Sequence, residues 1–429
     1  MRRLVILILL IGGLVVAYPA TVQASSPPTG QVAFERHGDI WIMDADGGHA
    51  RRLTVSSKTE SRPAWSPDGR TIAFIRAGKR DAFNVCLNEI WLMDAGGAHK
   101  RRVSFVLGPK VMPGTTHKQT SYGVDALTWA PGGSDITVCA GAASFYPDTA
   151  GGLFALQVYL VHPNGTHQRR LGPLQFGATI DSLSWRPDGS QLLLIPNWKG
   201  FGCLHAYDVA ADSWSEPYGE RAMWAAVYSP EGNRIAALVE GGASSAEGAR
   251  GGYIPHPRHL TVINLRTEEE RTLTVPGVSD LALAQPTWSP DGQSISYVSD
   301  DRGSPQIYTI SRSGGEPTRL TRSPSYNTEP AWSRPPAGSD VKPALAVTSR
   351  VGGQFQVGVY EEGTGAVTPK AADGDCTDPT WAPDGHHLVF GKLRGYRSRL
   401  YLLDVRTNEQ LELFAVDGES SEPAWGPRH

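Results

Sequence analysis

Cysteine is scarce in this chain, with 4 in 429 residues. Cys86, Cys139, Cys203 and Cys376 are far apart, and none forms a Cys-x-x-Cys pair. That excludes the common dithiol redox and short-spaced zinc motifs. Long apolar runs are absent after Tyr18, so no later segment reads as a membrane-crossing helix. Charge of one sign is not in excess: Lys and Arg number 40, Asp and Glu 43, for a net charge of −3. This balance excludes a general nucleic-acid binder. Helical periodicity is missing throughout. So are a Gly-x-Ser-x-Gly elbow, a His-Glu-x-x-His pair and a phosphate loop.

The chain opens with a basic pair, Arg2-Arg3, an apolar run Leu4–Tyr18 and small residues at Val22 and Ala24. This is the pattern of a secretory signal, with cleavage expected after Ala24. A retained anchor is the alternative; the run is short for a span and Pro19 interrupts it. Residues 1–24 are therefore read as the signal, 25–30 as a short linker, and 31–429 as one folded unit. Export implies a periplasmic or extracellular location, where disulfides are permitted. Cys86–Cys139 is the favoured pair, and buried thiols are the alternative.

One phrase recurs along the chain. It reads Pro63-Ala-Trp65-Ser-Pro-Asp-Gly69, then returns around Trp129, Trp185, Trp288, Trp332, Trp381 and Trp425. A weaker copy has Tyr228 in place of Trp. Recurrence about every 43 to 64 residues is the signature of a propeller or solenoid. Pro-Asp-Gly is a tight-turn signal: Pro presets φ, Asp bonds the following backbone and Gly accepts positive φ. An apolar alternating run follows each turn, such as Thr71–Ile75 or Ser294–Val298. A third run comes next, such as Asp39–Asp44 or Glu89–Asp94, then a short basic one such as Arg51–Thr54. Four antiparallel strands per repeat predict an all-β, closed β-propeller. The N-terminal segment lacks a first strand and the C-terminal segment has only a first strand, so the two are expected to share one blade. That gives eight blades. Seven is the alternative, because the Tyr228 copy is degenerate and the outer strand near Trp214 is poorly patterned.

The Trp-Ser-Pro-Asp-Gly phrase, the Ile-Trp-x-Met-Asp strand and the Arg-Leu-Thr strand together resemble the WD40-like PD40 repeats of the TolB family. The resemblance covers nearly all of 31–429. It implies a β-propeller of that repeat class and does not identify the particular protein. The same repeats also resemble the propellers of prolyl-oligopeptidase-type enzymes, which precede a hydrolase domain.

Departures from the repeat are where function is expected. Turns between first and second strands, and between third and fourth, stay short. Connections of the other class are long at Arg76–Asn88, Ser104–Gly123, Ala140–Leu156, Pro196–Gly202 and Glu240–Arg258. All of these should emerge on one face of the disc, and long loops on a rigid scaffold commonly carry binding residues. The expected partner-binding residues are Phe83, Lys110, Tyr122, Tyr146, Trp198, Phe201, Tyr253, Arg394 and Tyr396. Aromatics mixed with cations suit a protein, peptide or glycan. The bland reading is that such rings only pin their own loops.

Other motifs carry less. His49, His99 and His167 each precede a basic pair in equivalent turns of separate blades, too far apart to converge on a metal. The His386-His387 pair alternates across a strand. Asp44-Ala-Asp-Gly47 resembles part of a calcium loop, but Val55 stands where the closing Glu belongs. Asp68, Asp188, Asp291 and Asp384 are turn residues. No metal, cofactor or catalytic residue is assigned. The leading functional expectation is an exported, monomeric, non-enzymatic binding scaffold. The alternative is a lyase or lactonase-like hydrolase using the central channel, where Asp125, Asp181, Glu329, Asp378 and Glu422 could line one mouth.

Overall fold

The computed structural model describes residues 30–44, 47–79, 88–103, 121–145, 152–171, 179–197, 203–215, 223–240, 258–273, 286–300, 303–335, 338–360, 364, 366–371, 375–394, 397–413 and 420–425. Within these, every sheet is four-stranded and antiparallel, and there are eight of them in a ring. The chain is an eight-bladed β-propeller. The composite blade joins the termini as expected: Ser420–Trp425 is its inner strand, followed outward by Gln31–Arg36, Asp39–Asp44 and Arg51–Arg52. The first complete blade runs Glu60–Trp65, Thr71–Arg76, Glu89–Asp94 and Arg101–Arg102. Six further blades follow in chain order, with inner strands ending at Trp129, Trp185, Tyr228, Trp288, Trp332 and Trp381. The degenerate copy at Tyr228 is thus a full blade, and Ser213–Ser215 does form the outer strand of the blade before it.

Alternation explains the packing. Successive side chains of a strand point to opposite faces. Ile42 therefore joins the cluster shared with Ile72 and Phe74 of the first blade, while Met43 joins that shared with Val389 and Leu402 of the seventh. Leu192 and Leu194 face the second blade, whereas Leu193 and Ile195 face the fourth. Each apolar cluster is an inter-blade layer, so no blade has a private core.

Two repeated polar contacts tie these layers. The motif tryptophans donate their indole N–H to the preceding inner strand. Trp65 reaches the Ala424 carbonyl at 3.2 Å, Trp129 that of Ala64 at 3.0 Å, Trp288 that of Val227 at 3.1 Å and Trp381 that of Ala331 at 3.0 Å. Trp185 and Trp332 use the hydroxyls of Thr137 and Ser296 instead. Trp288 is fully buried, while Trp65 and Trp381 are half-buried. At the outer rim, arginines of one blade bond the hairpin of the next. Arg51 Nη1 donates to the Gly96 carbonyl at 2.9 Å, Arg101 to Pro163 at 2.5 Å, Arg169 to Val209 at 2.8 Å and Arg271 to Ser313 at 2.7 Å. Gly97 is required in one of these hairpins: its φ is +85°, and a Cβ there would lie 2.9 Å from Leu53 of the composite blade.

The stretch Ala140–Leu156, read from sequence as a loop, is mostly ladder. Ile136–Phe145 pairs with Gly152–Val161 out to Phe145 and Gly152. The strands run on because unpaired backbone groups are costly, and small residues such as Gly141 and Ala142 do not obstruct the pairing. Ser121–Gly123 likewise belongs to an inner strand rather than to the connection before it.

Candidate functional site

Antiparallel order puts the two classes of connection on opposite ends of the blades. The turns between first and second strands are alike in six blades; the sixth departs from the short turn expected from sequence, its connection running over residues 333–344 and closed by the Ser333 N–H on the Ala344 carbonyl at 2.8 Å. Gly69 N–H closes on the Ser66 carbonyl at 2.8 Å, and Gly133, Gly189, Gly232, Gly292 and Gly385 repeat that closure in their own blades. The other end carries connections that range from the tight His37-Gly38 turn to the stretch 241–257.

At that second end the inner strands are interrupted. Ladder register shifts at Arg62-Pro63, Asp125, Asp181, Trp224, Glu329-Pro330, Asp378-Pro379 and Glu422-Pro423. These are β-bulges, in which extra residues of one strand oppose fewer on its neighbour. Proline explains four of them, since it has no N–H to give the ladder. All five acids read from sequence as strand-start residues therefore stand at bulges. Arg62 takes a φ of 53° and is exposed.

Between the bulges and the variable connections lies a buried polar layer that the sequence reading missed. Glu60 is wholly buried and its Oε1 takes Arg76 at 2.5 Å. Arg76 also lies 3.6 Å over the Trp91 ring. The layer repeats in neighbouring blades: Arg36 lies over Trp41, and Lys392 over Tyr401 at 4.3 Å while donating to Gln410 Oε1 at 3.3 Å. Elsewhere the layer is neutral. Asn327 donates to Gln306 Oε1 at 3.0 Å, and the Thr321 hydroxyl donates to the same oxygen at 2.8 Å. Ser349 donates to Asn327 Oδ1 at 2.6 Å. A signal for this layer exists in the sequence: Phe34-Glu-Arg36, Phe74-Ile-Arg76 and Phe390-Gly-Lys392 share one spacing. Buried cations on rings, each with a partner, stiffen the platform beneath the variable connections.

Of the residues expected to bind a partner, the described backbone includes two. Tyr122 sits near the start of its inner strand, opposite Ala142. Arg394 ends its second strand, directly opposite Arg397. Both positions are at the variable end of their blades. Phe83, Lys110, Tyr146, Trp198, Phe201, Tyr253 and Tyr396 lie outside the described residues, as does Cys86. Cys203 and Cys376 are not disulfide-bonded.

The turn aspartates behave as acceptors. Hydrogen bonds from Ser66, Ser190 and Ser289 hold the carboxyls of Asp68, Asp188 and Asp291 below the ordinary carboxylate value. Asp384 differs in being buried. Burial pushes its carboxyl up, but the His387 hydrogen bond and the N–H groups of His386 and His387 outweigh that, and it too ends low. His387 is bracketed by Asp384 Oδ2 at 2.6 Å and Asp404 Oδ2 at 3.6 Å, with Arg406 closing on Asp404 at 3.1 Å. His386 is half-exposed, and its imidazole is shifted down by burial and by Arg406. His49 and His99 are exposed and pair with Asp44 and Asp94 of their own turns. Among the described residues no three His, Cys, Asp or Glu converge as metal ligands would.

These features define a closed propeller with one face of repeated turns, broken in the sixth blade, and one variable face. Residues 255–429 match the family described as TolB beta propeller domain, PD40, and the repeats are of that TolB-like class. The chain is 31% identical over 129 residues to the Tol-Pal system protein TolB of Francisella tularensis subsp. mediasiatica, covering 30% of this chain and 29% of that protein. It is 30% identical over 149 residues to the uncharacterized peptidase YuxL of Bacillus subtilis, covering 33% of this chain and 20% of that one. The chain thus spans less than a third of either relative's length. Among solved structures, an oligogalacturonate lyase in complex with manganese superposes with a TM-score of 0.50 at 16% identity, over 87% of this chain and 97% of that chain. That likeness is one of fold.

Proposed function

We propose that this protein is an exported, non-enzymatic binding scaffold that holds a protein, peptide or glycan of the cell envelope or exterior on its variable face. The observation that carries this reading is the asymmetry of the disc: one end repeats the same closed turn in six blades, and the other carries connections that range from two residues to more than a dozen, over a stiffened polar layer. Partner-binding roles are assigned to Phe83, Lys110, Tyr122, Tyr146, Trp198, Phe201, Tyr253, Arg394 and Tyr396. The signal reading of residues 1–24 and the partial likeness to TolB support a periplasmic or extracellular location. The protein is proposed to act as a monomer.

A second reading is a propeller enzyme working at the channel, favoured by the acids at the inner-strand bulges and by the partial likeness to a peptidase. Immobilised protein challenged with an envelope extract separates the two. Under the scaffold reading, a partner is retained, and Ala at Trp198, Phe201 and Tyr253 releases it while melting is unchanged. Anchors of that kind each contribute about 2 kcal/mol or more. Retention that survives those changes but fails with Arg70→Ala on the regular face would reverse the assignment.

A further inference from the structure

Over the seam between the sixth and seventh blades, the variable end carries a small aromatic platform. Arg350 and Phe355 face each other across the hairpin that turns at Gly352-Gly353. The Arg350 guanidinium carbon stands 5.7 Å from the centre of the Phe355 ring, and Tyr326 meets that ring edge-on with centroids 6.3 Å apart. Both rings are half-exposed and Arg350 is exposed. Tyr326 comes from the connection between the fifth and sixth blades, and its carbonyl takes the Arg350 N–H at 3.0 Å. Asp375 opens the seventh blade and accepts the Phe355 N–H on Oδ1 at 2.8 Å. Tyr326 is not a repeat residue: the same place before the motif Trp holds Thr59 in the first blade and Asp375 in the seventh.

The polar groups of this platform have bonding capacity left over. Among the described residues, the Arg350 guanidinium makes no hydrogen bond or ion pair, and neither the Tyr326 hydroxyl nor Asp375 Oδ2 has a partner. Thr348 adds an independent sign. It lies two residues before Arg350, hence on the same face of the strand. It is 4% exposed, and its hydroxyl has no hydrogen-bond partner among the described residues. A buried hydroxyl left without a partner is costly.

A guanidinium only donates and a carboxylate only accepts, whereas a sugar hydroxyl does both. The C–H face of a pyranose also packs on the negative face of an aromatic ring. The platform carries one cation, Arg350, and one carboxylate, Asp375, and Arg322 and Asp300 on the fifth-blade side add one of each sign. That balance suits an uncharged ligand; a phosphate would meet Asp375 as a like charge. A protein interface centres on apolar area. Among the described residues the exposed large hydrophobics are Val55, Val351 and Leu411, one each at the composite, sixth and seventh blades. We infer that this seam is a binding site for a neutral saccharide. Tyr326 and Phe355 pack on the sugar ring, Arg350 and Asp375 bond its hydroxyls, and the ligand brings a partner within reach of Thr348. This rests on the reading of the variable face as the binding face, and it names a ligand class for that face.

The test is isothermal titration calorimetry of the full chain with cellohexaose, chitohexaose and, as an anionic control, a heparin hexasaccharide. The expected result is saturable binding of at least one neutral probe, tighter than that of heparin and little changed by salt. Tyr326→Ala and Phe355→Ala should each weaken it about tenfold or more, the scale of one lost stacking contact. Arg350→Gln should weaken it as well. So should Asp375→Asn, which keeps an oxygen for the Phe355 N–H and so spares the fold. Thr348→Val should leave the melting temperature unchanged or raise it, because it removes a hydroxyl without a partner, and yet lower the affinity. A merely structural Thr348 would not give that combination. Absence of binding by both neutral probes overturns the proposal, as does tighter binding of heparin. So does an affinity that Tyr326→Ala and Phe355→Ala leave unchanged while melting shows both variants folded. If saccharide binding is lost instead with Ala at Trp198, Phe201 and Tyr253, this site falls and the variable face stands. An envelope partner retained through those three residues, with no neutral saccharide bound, has the same meaning. Loss of both the partner and the saccharide would sink the two readings together.

Discussion

At the scale of single residues, the motif tryptophan has two jobs. Its ring fills the gap between blades and its N–H spans to the preceding inner strand. Trp288 does both from a wholly buried position. Trp288→Ala should cost about 3–5 kcal/mol, the usual penalty for emptying a large core site, as measured by urea unfolding. Trp65 and Trp381 are half-buried and should cost less. Asp384 supplies a pH signature. Its folded carboxyl titrates below the ordinary value of 3.8, so its contribution is complete above that value and is lost as pH falls through the folded one. The melting temperature of Asp384→Asn should therefore fall less steeply than that of the unaltered protein on acidification below about 3.8. An identical slope in both would show that the His387 pair contributes nothing.

At the scale of elements, the outer strands are only two residues long in several blades. Strands that short are poorly held by their own ladders, and the rim arginines supply the missing contact. Arg101→Gln should cost about 1 kcal/mol, the net value of one such hydrogen bond. Hydrogen exchange should locate the effect: the amide of Val103, which bonds the Ile90 carbonyl, should exchange faster, while Ile75 in the interior should not change. The sequence made each arginine visible but not its partner. Arg101 and Pro163 are 62 positions apart, and nothing local links them. The bulges were hidden for a related reason. Asp125 and Glu329 read as ordinary strand starts, because a bulge is a mismatch between two strands and not a property of one.

For the whole molecule, closure rests on the composite blade. Trp65 bonds Ala424 across 359 positions, and Val389 and Leu402 pack on Val32 and Phe34 from the other side. Deleting 420–429 should expose the edge of Gln31–Arg36 and open both layers, lowering the melting temperature and promoting aggregation. Size-exclusion chromatography and calorimetry would check this, and an unchanged melting temperature would rule out the closed ring. Most strand positions and six of the first-to-second turns were readable from sequence, because each depends on contacts within one hairpin or on alternation along one strand, and the shared blade followed from a missing first strand at one end and a lone first strand at the other. The expected variable end also followed from loop lengths alone. Only the tertiary structure decided that Tyr228 heads a true blade, with its hydroxyl on Gln191 of the neighbour. The buried Glu60–Arg76 pair and the acids at bulges were likewise settled by the fold. Each of these depends on which blade stands next to which, and adjacency around a ring is set by packing between segments that are remote in sequence.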